Sequence, residues 1–197
     1  MTTTRSGAST RAALALAVVS LWAAGCAGSG ATTDGSGPVA SSRPPGVSEG
    51  AMATDFAARN IEGKTVKLTD YLGKQAVLID FWATYCEPCL AEMPSLRALY
   101  EKHKAKGFVV LAVSVDGPET VADVPSFAKR NGMVFPVLLD EDSRITSIYN
   151  PKKSAPLSVL IDKNGKVQRV HEGFNPGDEA ELEHAVANVL DPGAAAK

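Results

Sequence analysis

Two cysteines stand two residues apart in Phe81-Trp82-Ala83-Thr84-Tyr85-Cys86-Glu87-Pro88-Cys89, and they are the residues of this 197-residue chain best suited to chemistry. Thiolates exchange disulfides and also bind metals, so the spacing by itself leaves redox and metal readings open. The apolar run from Ala76 to Ala83 before the pair has the mark of a strand buried on both faces. Helical spacing follows through Leu90, Met93, Leu96, Leu99 and Tyr100, with Gly107 placed as a C-terminal stop. Cys86 therefore falls at a helix start, where unpaired backbone N–H groups and the positive end of the helix dipole help a thiol ionise. Pro88 suits a first helical turn. Cys89 comes round that turn close enough for an intramolecular disulfide, so Cys86 reads as the exposed attacking thiol and Cys89 as the shielded resolving one.

A zinc site asks for four ligands, commonly a second CxxC or a spaced histidine pair. The histidines here are His103, His171 and His184, on separate elements and outside ligand spacing, so no metal is expected. A purely structural disulfide is the other plain reading. Closing so short a loop would remove little unfolded-state entropy.

Two carboxylates favour the redox reading. Asp80 interrupts the apolar strand, where an ionised carboxylate costs several kcal/mol unless it is protonated or partnered. Burial there raises a pKa and suits a proton acceptor for a buried thiol; a core carboxylate held by backbone donors is the alternative. Glu92 lies three residues after Cys89 on the same helix and is its neighbour on the helix surface; by spacing alone it reads as a solvated helix residue. Pro94 stands inside that helix and should kink it. Ala155-Pro156 precedes a strand, and an X-Pro bond there is usually trans.

The elements that would hold these groups alternate in type. Phe56 to Asn60 and Thr65 to Leu68 flank Glu62-Gly63-Lys64 as a hairpin. Phe108 to Val115 is a second buried strand, Val121 to Asn131 a helix, Val134 to Leu139 a short strand carrying Pro136, and Ser143 to Tyr149 a short helix. Leu157 to Asp162 and Lys166 to His171 bracket Lys163-Asn164-Gly165, a hairpin signal. Asp178 reads as the cap of a last helix, with Glu181 completing a capping box. Strands alternating with helices, then a closing hairpin and helix, argue for a mixed sheet covered on both faces.

The ends carry a different message. Arg5 and Arg11 precede Ala12 to Ala24, an apolar run of thirteen residues without charge. A bilayer span needs about 20 as a helix, so the run is read as a targeting segment, residues 1–25. Ala23-Ala24-Gly25-Cys26 resembles a bacterial lipoprotein signal, in which the cysteine is lipidated; Ala23 stands where that pattern prefers Leu. An ordinary secretory signal is the alternative, and both readings export the protein. Residues 26–50 are almost wholly Gly, Ala, Ser, Thr and Pro, the composition of a flexible tether. Residues 51–191 form one domain, with 192–197 a frayed tail. The targeting segment carries two of the 20 basic residues and none of the 22 acids, so the remainder has a net charge of −4. Basic and acidic residues are interspersed, and no basic patch points to nucleic acid.

Asp80-Phe81-Trp82, Cys86-x-x-Cys89 and Pro94 resemble thioredoxin in residue type and spacing. The longer stretch Phe81 to Pro94, with Val134 to Asp140 and Val159 to Lys166, closely resembles the TlpA/ResA group of exported, membrane-tethered thioredoxin-like proteins. The resemblance covers about Asp55 to Leu190. It implies an α/β thioredoxin fold, a central mixed sheet with helices on both faces, an N-terminal hairpin and a helix-containing insertion at roughly Gly117 to Tyr149. It further implies that Pro156 is a cis proline beside the disulfide and that Glu92 is the group's buried active-site glutamate. Trp82, Tyr85, Glu87, Pro88 and Ala155 would then border the groove for the target chain. The chain departs from the group at Asp80, commonly Asn; at Tyr85, commonly Trp; and at Leu157-Ser158, commonly Thr-Thr.

The function so implied is a cofactor-free thiol–disulfide reductase of envelope proteins: Cys86 attacks a substrate disulfide and Cys89 resolves the mixed disulfide. An oxidising compartment requires that such a reductant be recharged, in this family by a transmembrane thiol donor of the CcdA/DsbD type. Family clients are apocytochrome c, copper-site cysteines of oxidase subunits, or broader sets. A dithiol oxidant is the nearest rival, and Glu87 beside Cys86 argues against the strongly stabilised thiolate it needs. A peroxidase would need a Pro-x-x-x-Thr-type segment that Thr84-Tyr85-Cys86 does not supply. A copper chaperone would use Cys-x-x-x-Cys and a histidine, for which His171, late in a strand, is a poor stand-in.

Overall fold

The computed structural model describes residues 47–193. The targeting segment, Cys26, most of the tether and the end of the tail lie outside the described residues. Among the described residues four α-helices and seven strands follow one another as β1 (Ala57–Asn60), β2 (Thr65–Lys67), β3 (Ala76–Trp82), α1 (Glu87–His103), β4 (Phe108–Ser114), α2 (Val124–Arg130), β5 (Val137–Leu139), α3 (Arg144–Tyr149), β6 (Leu157–Ile161), β7 (Val167–Glu172) and α4 (Asp178–Leu190). The strands make one sheet in the order β2-β1-β5-β4-β3-β6-β7. β3 runs parallel to β4, and β4 to β5; β6 and β7 run antiparallel at one side, and β1 and β2 at the other.

β3 and β4 are buried at every position, as their nearly continuous apolar runs foretell for central strands. Successive side chains point to opposite faces. Ala76, Leu78 and Trp82 join Phe108, Val110 and Ala112 in one core, closed by Met93, Leu96 and Leu99 of α1, Val124 of α2 and Val186 of α4. Val77, Ile79 and Phe81 join Val109, Leu111 and Val113 in the other, closed by Phe56, Leu68, and Ile145 and Tyr149 of α3. Asp80 belongs by its alternation to the α1 and α4 face.

Three expectations are corrected in detail. The strand read from Val134 begins only at Val137, because Pro136 has no N–H for the ladder; its carbonyl still accepts from the Ala112 N–H at 3.0 Å. The helix read from Val121 starts as a 3₁₀ turn, Val121–Asp123, and becomes α-helical at Val124, with Pro125 in its first turn. Finally, α4 has no Asp178–Glu181 capping box. Gly177, at φ 110°, precedes the helix, Asp178 accepts from the Asn175 N–H at 2.7 Å, and Glu181 pairs with Arg169. The hairpin read at Lys163-Asn164-Gly165 is present as a three-residue loop between antiparallel β6 and β7, with Gly165 at a positive φ of 86° and the Asp162 carboxylate accepting from the N–H groups of Asn164 and Lys166.

Candidate active site

The chain leaves β3 at Trp82 and turns through Ala83, Thr84 and Tyr85 into α1. That turn is held from the neighbouring strand's end. Asp116, buried just beyond β4, accepts from the Thr84 N–H at 3.0 Å and from the Thr84 hydroxyl, and from the Ser114 hydroxyl at 2.8 Å. The Val115 N–H donates to the Trp82 carbonyl at 2.9 Å, tying the same two segments. Sequence reading missed this clamp. Its only local trace is a carboxylate directly after an apolar strand, and the partner lies 32 residues earlier.

Cys86 occupies the N-cap of α1, with its Sγ accepting from the Cys89 N–H at 3.2 Å. It is bridged to Cys89. Cys89 is fully buried and Cys86 is 8 % exposed, so any reacting sulfur from outside reaches Cys86 first. Beside them Tyr85 is 70 % exposed, and Glu87 and Pro88 are also exposed. The bond between Ala155 and Pro156 is cis. Register pairs Phe81 with Leu157, so Pro156 stands one step on, level with Trp82, at the end of β3 from which the cysteine loop departs. Ala155 is half-buried there.

Trp82, expected at the groove, is not on the surface. It is wholly buried and stacks on Phe127 of α2 at a ring distance of 5.6 Å, so it supports the cysteine loop from beneath. The even positions of β3 carry it inward, which the strand's alternation dictates.

Asp80 is fully buried, and neither of its oxygens accepts a hydrogen bond among the described residues. The alternative of backbone donors is thus not what the fold provides. Burial alone pushes its carboxyl well above the ordinary range. Glu92 also lies in the buried stripe of α1, not on its solvated side, with Oε2 unbonded. Its carboxyl is pushed up by burial first, then by the charges of Asp80 and Asp178. The two acids feel each other and titrate as a pair. At neutral pH such a pair retains a proton that solvated carboxylates would release.

Alongside Glu92 a cavity of about 330 Å³ runs between α1, the β6–β7 edge and α4, lined among others by Ser158, His171, Phe174 and Asp178. No group of three or more metal-ligating side chains is found among the described residues, nor any helix long and apolar enough to cross a membrane. His171 is half-buried on β7 and faces Asp178 at 3.1 Å, away from any cysteine pairing. His103 is buried at the far end of α1, and His184 is exposed on α4.

Comparison with known proteins agrees with this geometry. The AhpC/TSA family matches residues 50–170. The chain is 39 % identical to the thiol-disulfide oxidoreductase ResA of Geobacillus thermodenitrificans over 127 residues, which cover 64 % of this chain and 71 % of that protein. Identity to ResA of Geobacillus kaustophilus is 37 % over 135 residues, 68 % of this chain and 75 % of the relative. Among solved structures, a candidate thiol:disulfide interchange protein DsbE from Chlorobium tepidum superposes with a TM-score of 0.67 at 38 % identity, covering 73 % of this chain and 99 % of that one. The seven-stranded sheet with its flanking helices is a thioredoxin fold of this kind.

Proposed function

We propose that this chain, which belongs to the AhpC/TSA family and is a thiol–disulfide oxidoreductase similar to ResA, works as a reductant of protein disulfides outside the cytoplasm. The observation that carries the reading is the placement of Cys86 at the N-terminus of α1, bridged to a fully buried Cys89, with two carboxyls of raised pKa behind the bridge.

In the reduced state the helix N-terminus and the Cys89 N–H favour a thiolate on Cys86. That thiolate attacks a client disulfide, and one client sulfur leaves with the electron pair and takes a proton from solvent. Cys89 then gives its proton to the Asp80–Glu92 pair and attacks Cys86, and the second client sulfur leaves and is protonated in turn. The client gains two electrons and two protons, and the protein is left bridged. Cys89 sits in an apolar site where an ionised sulfur is costly, so a nearby carboxylate that can accept one proton near neutral pH lowers the barrier to resolution. Exposed Glu87 beside Cys86 works against a strongly stabilised thiolate, which supports the reducing over the oxidising direction.

The chain is exported and anchored through a lipid on Cys26, with the domain of residues 51–191 on a tether. It is recharged by a transmembrane thiol donor of the CcdA/DsbD type, and its clients are envelope proteins of the cytochrome c or oxidase copper-site class. Tyr85, Glu87, Pro88 and Ala155 border the client groove beside Pro156. A Cys89→Ala variant cannot resolve, so it should accumulate reducible adducts with envelope proteins through Cys86; an absence of adducts in cells carrying it contradicts the reading. A Cys26→Ser variant should move from the membrane to the soluble fraction, and unchanged membrane retention refutes the lipid anchor.

A further inference from the structure

Strand register places a polar row across the sheet. Asp80 on β3 is directly opposite Ser158 on β6, and Ser158 is directly opposite His171 on β7. Residues directly opposite one another share a face, so Asp80, Ser158 and His171 lie side by side beneath α1 and α4. They run from the fully buried centre of the sheet to its half-exposed side. The cavity of about 330 Å³ follows the outer part of this row, with Glu92, Ser158, His171 and Asp178 all in its wall. A space of that size takes several waters, at about 30 Å³ each, and its walls carry the polar partners that ordered water needs.

We propose that His171, oriented by Asp178, relays the proton between the buried Asp80–Glu92 carboxyls and solvent through this cavity. The inference rests on the dithiol-exchange reading above, because the proton in question is the one Cys89 gives up. In the resolving step the Cys89 S–H bond breaks, its proton goes to a carboxylate, and the S–S bond to Cys86 forms as the client sulfur leaves with its electron pair. The carboxyl must then lose that proton before it can serve again. Recharging reverses the path: the bridge breaks, Cys89 takes an electron pair from the donor dithiol and a proton from the carboxyl pair, and the pair is refilled.

The other charged groups in the wall are committed elsewhere. Arg169 on β7 pairs with Glu181 at 2.8 Å and, as a guanidinium, does not release a proton. On α4, Glu183 is paired with Lys102, and Glu179 accepts from the Gly177 N–H at 2.9 Å. Asp178 is held below the usual carboxylate range, chiefly by the Asn175 N–H and also by His171. It stays an acceptor, fixing the ring through Nε2 at 3.1 Å. An imidazole is the side chain that both takes and gives a proton near neutral pH. His171 is thus the group in the wall fitted to pass a proton on, and Asp178 is a positioning residue.

The test is the steady-state rate at which the full-length protein, recharged by dithiothreitol, reduces oxidised glutathione over many turnovers, followed across pH 6 to about 9 with imidazole titrated in. Loss of a proton-transfer group costs about 10²-fold or more where that transfer limits the rate. His171→Ala should slow turnover by at least about tenfold, and imidazole, small enough for the cavity, should restore the rate with saturation while sodium chloride at matched ionic strength does not. His171→Gln, which retains bulk and a hydrogen bond to Asp178, should be equally slow, and neither variant should shift the equilibrium with glutathione. A wild-type rate and pH profile in His171→Ala overturns the relay, and so does a slowing that imidazole leaves untouched. If the wild-type protein itself fails to exchange with glutathione at every pH, the oxidoreductase reading falls first.

Discussion

Replacing Asp80 by Asn tests whether the buried carboxyl is as unfavourable as its surroundings imply. Asp80 is fully buried with neither oxygen hydrogen-bonded, and burial pushes its pKa from 3.8 up to about 7. The unfolded chain gives up this proton above about pH 4, whereas the folded protein keeps it until about 7. Folding stability therefore declines from about pH 4 upward, and the whole penalty stands above the folded pKa. At about 1.4 kcal/mol per unit, the penalty is on the order of 4 kcal/mol. Asn does not titrate, but a buried amide with unmet hydrogen bonds costs about 1–3 kcal/mol at every pH. The variant should be equal to or less stable than wild type near pH 4.5 and more stable near pH 8, with about 3 kcal/mol of relative change between. Glu92 loses a charged neighbour in the variant, which acts in the same direction. Urea unfolding of the bridged proteins, followed by tryptophan fluorescence at a series of pH values, measures the difference. A stability difference that varies by less than about 1 kcal/mol over this range refutes the reasoning.

Thr84→Val removes the hydroxyl hydrogen bond to buried Asp116 while leaving the backbone one, and should cost about 1–3 kcal/mol, with a several-fold loss in exchange rate from a loosened cysteine turn; urea midpoints and glutathione exchange read both. Leu96→Ala opens a cavity beneath α1, where Leu96 is fully buried, and should cost about 2–5 kcal/mol without moving the redox potential. Glu92→Gln removes one acceptor of the pair and should slow resolution by about 10²-fold, with a flatter pH profile near neutrality in rapid-quench experiments.

Much of this architecture is legible in the chain because its signals are local. The runs Ala76–Trp82 and Phe108–Ser114 are central strands for the reason that makes them almost wholly apolar: both faces are covered. Asp80 is conspicuous for breaking such a run. Glu92 is less so, since its spacing fits an exposed helix position as well as a buried one, and only the resemblance to the TlpA/ResA group singled it out. What was not legible depends on register and on long-range partners. Nothing near Ser158 says that it lies opposite Asp80, nor does anything near His171 say that it lies opposite Ser158. Asp178 has the local pattern of a helix cap, yet its carboxylate turns to Asn175 and His171, because Gly177 brings the chain into α4 with a positive φ. Trp82 reads as part of a surface motif, and strand alternation buries it.

The reducing direction is tested most directly by equilibrating the protein with glutathione redox buffers and trapping the Cys86–Cys89 pair by alkylation. Acids beside and beneath the pair, and no strongly cationic neighbour in its loop, leave the Cys86 thiolate only modestly stabilised. A potential near that of thioredoxin, about −270 mV, is therefore expected. A value near that of DsbA, about −120 mV, would mean a strongly stabilised reduced form and would contradict a reductase.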